Sequence, residues 1–293
     1  MHLKKSKQSQ PNSVTNVTIS FFTVLAVGRL KPLDGCTKNF PLMPSLQGKV
    51  AVVTGGNSGI GYATAERFKQ DGATVIITGR HHDRVTEAAD RLGVTGLVAD
   101  VKSVANITQL AEQIKQQFGG VDVLFINAGV FEPAPVGSIS EEMFDRQMGI
   151  NFKGALFTLE KFVPILNEGA SVINLSSINA HTGMTNTAVY AASKAAMNSY
   201  TRTAATELAP RRIRVNAINP GPIDTPIFGK TGMPQEQLDG FAGALQDKVP
   251  LKRFGRPAEV ASVAAFLASD EAAYVTGSEY TVDGGAILNA LVG

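Results

Sequence analysis

The sequence predicts a single-domain α/β protein of the Rossmann type, a doubly wound parallel sheet of about seven strands with helices on both faces. Three observations indicate this fold. Short apolar runs alternate with longer amphipathic stretches, the apolar runs are continuous rather than alternating in polarity, and a glycine-rich turn follows the first of them. Continuous Val/Ile-rich runs are typical of parallel strands that are buried on both faces. Regular β-α alternation then implies right-handed crossovers.

Seven apolar runs have the length and β-branched content of buried strands. They are 50–54, 74–78, 96–100, 123–127, 171–176, 214–219 and 278–283. The intervening segments have helical patterns, among them 63–72 and 107–120, and the second of these ends in two glycines that commonly stop a helix. We see no internal repeat and expect one domain over residues 43–293.

Residues 1–42 differ in character from the rest of the chain. Three lysines precede the apolar stretch 17–27, which is shorter than the roughly 20 apolar residues that span a bilayer. Three interpretations remain open: a disordered leader, a signal-like segment cut near Gly28, or an over-extended start with Met43 as the initiator. Threonines and serines dilute the apolar run, which favours the first and third interpretations.

Composition excludes several classes of protein. The 293 residues include 27 basic and 25 acidic side chains, without the strong basic excess of a nucleic-acid-binding domain. Cys36 is the only cysteine, so the chain forms no intramolecular disulfide and no cysteine-based metal cluster. The four histidines lack the i, i+4 spacing of a helical metal pair. We therefore expect no metal and no membrane partner, and a reducing, cytoplasmic location.

The stretch TGGNSGIG, residues 54–61, directly follows the first predicted strand and opens a helix. Glycine adopts positive φ and lets backbone N–H groups approach a ligand closely. The N-terminus of a helix favours an anion. This context, more than the glycines alone, predicts a loop that holds the phosphates of a dinucleotide.

The stretch YAASKAAM, residues 190–197, places Tyr190 and Lys194 one turn apart on one helix face. A phenol has a pKa near 10 and is a poor base at neutral pH. A cation about 4 Å away contributes on the order of 4 kcal/mol at an effective dielectric constant near 20. We therefore predict that Lys194 lowers the pKa of Tyr190, so that the phenol can give or take a proton.

These stretches resemble the classical short-chain dehydrogenase/reductase family. The glycine spacing is TGxxxGxG rather than GxGxxG, and the resemblance extends over nearly all of residues 48–285. It implies an oxidoreductase that moves a hydride between nicotinamide and a carbonyl or secondary alcohol. The catalytic tetrad that it implies is Asn151, Ser177, Tyr190 and Lys194.

The resemblance assigns a role to each member of this tetrad. Tyr190 is the general acid or base, and Ser177, rather than the neighbouring Ser176, hydrogen-bonds the substrate oxygen. Lys194 also holds the ribose hydroxyls of the cofactor. Asn151 lies in a predicted helix and holds a water that relays protons to the lysine.

The expected cofactor contacts follow the glycine loop and the ends of the later strands. They are Gly55, Asn57, Ser58, Gly59, Ile60, Gly61, Arg80, Asp100, Val101, Asn127, Ala128, Gly129, Tyr190, Lys194, Pro220, Gly221, Ile223 and Thr225.

Arg80 favours NADP(H) over NAD(H). An acidic residue at the end of the second strand would hold the ribose 2′-hydroxyl of NAD, whereas a guanidinium can grip a 2′-phosphate. The alternative is that Arg80 is merely solvated, because Ser58 stands where many NADP-using relatives carry a second basic residue.

Three classes of function remain open. The first is a reductase or dehydrogenase for a small ketone, aldehyde or secondary alcohol, with candidate pocket residues Asn179, His181, Met184 and Phe228 under a lid formed by 228–250. The second is a 3-oxoacyl-carrier-protein reductase, for which Arg211 and Arg212 are candidate docking residues. The third is a non-catalytic cofactor sensor on the same fold.

The resemblance also implies an oligomer. Relatives are usually tetramers or dimers whose two long central helices pack across subunits. Here those helices are predicted at 141–167 and 188–210, and the small residues around Tyr190 would permit close packing. We expect a homotetramer or a homodimer.

Overall fold

The computed structural model describes residues 45–226, 243 and 245–291. Within this part of the chain, seven parallel strands form one sheet in the order β3-β2-β1-β4-β5-β6-β7. The strands are β1 Val50–Thr54, β2 Thr74–Gly79, β3 Thr95–Val98, β4 Val121–Ile126, β5 Leu166–Leu175, β6 Arg214–Pro220 and β7 Glu279–Val282. The predicted doubly wound fold is therefore confirmed.

Helices cover both faces of the sheet. They are α1 Gly59–Gln70, α2 His82–Leu92, α3 Val104–Phe118, α4 Glu141–Met148, α5 Ala155–Phe162, α6 Ala188–Leu208 and α7 Pro257–Ala268. A π-helical segment, Gly149–Gly154, joins α4 to α5, and short 3₁₀ segments follow at Val163–Ile165, Ile178–Ala180, Ala209–Arg211, Asp270–Ala272 and Ala286–Leu291.

Each central strand is buried on two sides. Ala51 and Val53 of β1 pack into a core with α1, α2 and α7, whereas Val52 between them packs into a second core with α3, α5 and α6. Neither face of such a strand meets water, which explains why its residues are apolar without alternation.

The first long central helix ends earlier than predicted. The helical stretch 141–167 stops at Ile165, because Leu166 already pairs with Val121 as the first residue of β5. The early part of β5 is exposed and polar at Asn167, Glu168 and Gly169, so it lacks the apolar signature of a buried strand. The second helix, predicted at 188–210, forms α6 and a 3₁₀ turn that ends at Arg211.

The topology places a crevice at the carboxyl edge of the sheet. The chain winds from β1 outward to β3, and then crosses to β4 on the other side of β1. Loops diverge at such a switch point, where ligands of this fold class bind. In the described part of the chain, no helix is both long and apolar enough to cross a bilayer. The predicted leader 1–42 and the pocket residue Phe228 lie outside the described residues.

Candidate active site

A cavity of about 430 Å³ runs along the carboxyl edge of the sheet. One end, which we call the glycine-loop end, is lined by the loop after β1 and by residues that follow β2 and β3. The other end, the tyrosine end, is lined by Tyr190 and by residues that follow β4 and β5. The cavity therefore joins the two motifs that were predicted to hold phosphates and to move protons.

Two glycines give the loop after β1 its path. Gly55 has φ +65° and Gly59 has φ +56°, a region that residues with a side chain rarely adopt. Asn127 then fixes the loop, because its Nδ2 donates to the carbonyl oxygens of Thr54 (2.8 Å) and Gly55 (3.1 Å). The loop is thus tied to the end of β4.

Gly61 differs from its neighbours in the loop. It was predicted to contact the cofactor, but it is buried and does not line the cavity. A Cβ atom at this position would overlap with the carbonyl oxygen of Gly55 and lie 2.5 Å from Asn127 Nδ2. The third glycine therefore allows α1 to pack closely on the loop.

The start of α1 suits an anion. Ser58 is the N-cap residue, and its side chain makes no capping hydrogen bond. The N–H groups of the first helical turn have no partner further back in the helix. These donors and the positive end of the helix dipole fit a phosphate group in the adjoining cavity.

Cationic side chains line the cavity beyond β2. Arg80, His81 and Arg84 all contribute to its wall, and Arg80 Nε donates to His81 Nε2 (3.0 Å). Arg84 was missed at the sequence level, although its position four residues after Arg80 in the first turn of α2 could have indicated a second cation at this end.

The remaining expected cofactor residues also lie in the wall of the cavity. These are Asn57, Ile60, Asp100, Val101, Ala128, Gly129, Pro220, Gly221, Ile223 and Thr225. They lie at or after the ends of four different strands, β1, β3, β4 and β6, and the parallel sheet brings them to one edge.

Ser177, Tyr190 and Lys194 meet at the tyrosine end. Ser177 follows β5, and its Oγ accepts from the N–H of Asn179 (3.2 Å). Tyr190 lies in the first turn of α6, and its ring packs edge-on against Phe131 at a centroid distance of 5.1 Å. Lys194 is 4% exposed, and its Nζ lies 5.7 Å from the centre of the tyrosine ring.

Burial shifts the pKa values of this pair in opposite directions. It raises the pKa of Tyr190 to about 12, against a smaller lowering by a side-chain hydrogen bond with Ser177. It lowers the pKa of Lys194 to about 8. The predicted net fall in the pKa of Tyr190 is therefore wrong for this structure, because desolvation of the phenol outweighs its other interactions. A protonated phenol at neutral pH still suits a proton donor.

Hydrogen bonds hold Lys194 from two sides. Its Nζ donates to the carbonyl oxygen of Leu175 (2.7 Å), and its own carbonyl oxygen accepts from Ser176 Oγ (3.0 Å). The two neighbouring serines thus differ in role, because Ser176 fastens α6 to the end of β5 while Ser177 stands at the cavity.

Asn151 lies behind this group rather than in the cavity wall. It is 1% exposed, within the π-helical segment. Its Oδ1 accepts from Val130 N–H (2.8 Å), and its Nδ2 donates to the carbonyl oxygen of Val130 (2.9 Å) and to Ser193 Oγ (3.2 Å). Asn151 therefore joins the loop after β4 to α6.

The candidate substrate residues separate into two groups. Asn179 and Met184 line the tyrosine end, together with Phe131 and Glu132, which were missed. His181 points elsewhere, since its Nε2 lies 2.8 Å from the carboxylate of Glu279 at the start of β7. The position of Phe131 and Glu132 just after the Asn-Ala-Gly segment was the available signal.

Comparison with known proteins agrees with this geometry. A family model described as enoyl-(acyl carrier protein) reductase matches residues 55–286. The 3-oxoacyl-[acyl-carrier-protein] reductase FabG of Thermotoga maritima is 40% identical over 250 residues, which cover 83% of this chain and 99% of that protein. The NADP-dependent (R)-specific alcohol dehydrogenase of Lentilactobacillus kefiri is 34% identical over 82% of this chain and 98% of its own length.

Solved structures give the same result. A short-chain glucose/ribitol dehydrogenase from Brucella melitensis superimposes with a TM-score of 0.79 at 34% identity, covering 84% of this chain and 99% of the other. The sheet, the glycine loop and these relatives define the class of nicotinamide-dependent α/β oxidoreductases. The chain belongs to the classical short-chain dehydrogenase/reductase family.

Proposed function

We propose that the protein is an NADP(H)-dependent reductase of ketones or aldehydes, which also runs in reverse as a secondary-alcohol dehydrogenase. The observation that carries this proposal is the meeting of Ser177, Tyr190 and Lys194 at one end of a cavity whose other end is the glycine loop. A nicotinamide cofactor supplies or accepts the hydride when bound. The residues of this chain orient the substrate and move the proton.

Tyr190 is the proton donor in the direction of reduction. Its raised pKa keeps the phenol protonated at neutral pH, ready to give its proton to the carbonyl oxygen. Ser177 hydrogen-bonds both the phenol and the same substrate oxygen, where negative charge develops as the hydride arrives.

Lys194 stabilises the phenolate that remains, and it also holds the ribose of the cofactor. Its lowered pKa of about 8 indicates that the buried ammonium can exchange its proton near neutral pH. Asn151 joins the loop after β4 to α6 and so fixes the part of α6 that carries Lys194. A water held there would return a proton to the lysine.

The cationic glycine-loop end supports NADP(H). Arg80 and Arg84 lie in the cavity wall beyond β2, where a 2′-phosphate would be placed next to the adenosine ribose. The relative from Lentilactobacillus kefiri is named as NADP-dependent, which agrees with this preference.

A second candidate function is reduction of a 3-oxoacyl thioester on a carrier protein. The 40% identity to FabG of Thermotoga maritima favours it. The surroundings of the candidate docking cations, Arg211 and Arg212, do not favour it. Arg211 donates to the carbonyl oxygen of Val163 (2.7 Å) and Arg212 pairs with Glu168 (3.0 Å). Both follow the C-terminus of α6, about 30 Å along the helix from Tyr190.

The test follows absorbance of NADPH and, separately, of NADH with a panel of ketones, aldehydes and acetoacetyl thioester. We expect loss of NADPH with a free carbonyl compound, and a fall of at least about 10³-fold in turnover for Tyr190→Phe, because the proton donor is removed. The control is NADPH binding by the variant, which should be unchanged. Retained turnover in Tyr190→Phe would show that another group is the acid, and no turnover with any member of the panel would support the sensor alternative.

We also propose a homotetramer or homodimer, located in the cytoplasm. Small exposed residues of α6, among them Ala192, Ala195 and Ser199, support close packing of this helix on a second copy. Light scattering that gives a monomer at micromolar concentration would refute the proposed oligomer, and cell fractionation tests the location.

A further inference from the structure

The two ends of the cavity differ in their charged side chains. Arg80, Arg84 and Asp100 line the glycine-loop end. At the tyrosine end, the charged lining residues among those described are Glu132 and the buried Lys194. Lys194 is turned to the carbonyl oxygen of Leu175 and is needed beside Tyr190. The carboxylate of Glu132 is thus the charge that an entering substrate meets beside Phe131.

Glu132 is held firmly in this place. Arg146 Nε donates to both carboxylate oxygens of Glu132, at 2.7 and 3.0 Å, and Arg146 Nη2 lies 2.5 Å from Glu132 Oε2. The backbone of Glu132 is fixed as well, because its N–H donates to Oε1 of the fully buried Gln147 (2.9 Å). These contacts place the carboxylate at the cavity wall.

Arg146 offsets part of the charge of Glu132, but it offers no cation to the cavity itself. It lies on α4, it is absent from the cavity wall, and its guanidinium is occupied by Glu132 and by Glu142 (3.2 Å). An anionic group on the substrate would therefore be desolvated next to a like charge, while Lys194, the cation among the described residues at this end, is buried and turned to the carbonyl oxygen of Leu175. Among the described lining residues, an uncharged substrate meets the apolar side chains of Phe131, Ile178 and Met184 and the polar side chain of Asn179, and it brings no charge to be desolvated beside Glu132.

We propose that Glu132, fixed by Arg146, restricts the substrate of this site to uncharged carbonyl compounds and alcohols and excludes carboxylates and phosphates. This inference rests on the proposed oxidoreductase function. It makes Glu132 a specificity-determining residue, which acts on the choice of substrate rather than on the chemical step.

The test compares matched neutral and anionic substrates, ethyl acetoacetate against acetoacetate and methyl pyruvate against pyruvate. We expect kcat/KM for each ester to exceed that for its acid by at least about 30-fold, beyond the small difference in carbonyl reactivity. In Glu132→Gln the ester-to-acid ratio should fall about ten-fold, because the carboxylate is lost and Arg146 is released. In Arg146→Gln the ratio should rise, because the carboxylate keeps its charge and loses its partner.

Glu142→Gln is the matched control. It removes the other partner of Arg146 at a side chain that is 87% exposed and outside the cavity wall, and it should leave the ratio unchanged. The inference would be overturned if the unaltered protein used acids as well as esters. It would also be overturned if the ester-to-acid ratio did not move in opposite directions in Glu132→Gln and Arg146→Gln. Either result would leave the reductase proposal standing. Absence of turnover with every neutral carbonyl compound would refute both.

Discussion

The two ends of the cavity are formed by different parts of the chain. The glycine-loop end is formed by backbone, by glycines and by residues placed directly at the ends of β1, β2 and β3. The tyrosine end is formed by side chains on longer connections after β4 and β5 and on α6. The first end therefore depends on backbone geometry and glycine spacing, whereas the second depends on individual side chains.

The largest expected effect is at Gly61. In Gly61→Ala, the new Cβ would overlap with the backbone of Gly55, which cannot move without breaking the bonds to Asn127. Overpacking of this kind typically costs 1–3 kcal/mol and occasionally more, and we expect more than about 3 kcal/mol because the clash is with backbone. Chemical denaturation and NADPH binding measure the loss.

Gly183→Ala is the matched control, at the residue before Met184 of the tyrosine end. Gly183 has no atom within 4 Å of an added Cβ, and its φ is not in the left-handed region. We expect a change of less than about 0.5 kcal/mol. If the two variants were equally destabilised, backbone packing would not distinguish the two ends.

The second effect concerns the stability of the buried lysine. Its pKa is about 8 in the folded protein against 10.5 as the ordinary value, so folding disfavours the charged form. At 1.36 kcal/mol per pKa unit, the penalty at pH 7 is at most about 3 kcal/mol. We expect Lys194→Met to stabilise the fold at pH 7 by up to that amount, reduced by the loss of the hydrogen bond to the carbonyl oxygen of Leu175. The same variant should abolish turnover.

The sign of the pH dependence checks this explanation. Between about pH 8 and 10.5 the unfolded chain keeps the lysine proton and the folded protein has lost it, so the free energy of unfolding rises with pH through this window. The gain in free energy of unfolding from Lys194→Met should therefore be largest below pH 8 and disappear by about pH 10.5. An advantage that is constant with pH in thermal melts would assign the stabilisation to packing alone.

The smallest of the three effects is on the choice of cofactor. Arg80→Glu should weaken NADPH about 30-fold, or about 2 kcal/mol, because a charge-assisted contact to the 2′-phosphate is replaced by repulsion. NADH should be nearly unaffected. Lys115→Glu, an equal charge change on the exposed face of α3, is the control. Equal losses of both cofactors in a binding titration would contradict the preference for NADP(H).

The sequence alone predicted the sheet more accurately than the cavity. The bounds of β1 were predicted as observed, since its continuous apolar run has no other interpretation once a glycine loop follows. The start of β5 at Leu166 was missed because its first residues are polar and exposed. A local sequence pattern indicates which residues are buried, and the run of buried residues in β5 begins several residues after the strand itself.

The chemistry of the site was predictable in its residues and not in its electrostatics. The spacing of Tyr190 and Lys194 correctly placed them near each other, but the direction of the pKa shift depends on how deeply α6 is buried. The pairing of Glu132 with Arg146 joins residues 14 positions apart across a loop and a helix. No periodicity in the sequence indicates such a pair.

The π-helical segment has a consequence for how relatives of this chain are aligned. Gly149–Gly154 contains one residue more than an α-helical path of the same span would need, and it carries Asn151. Removing that one residue would return the segment to a regular α-helix, so the buried face of α5 formed by Ala155, Leu159 and Phe162 would keep its orientation toward the core. The local change would fall on Asn151, whose position within the segment would shift. A one-residue alignment gap placed within this segment therefore indicates a relative in which this stretch is a regular α-helix.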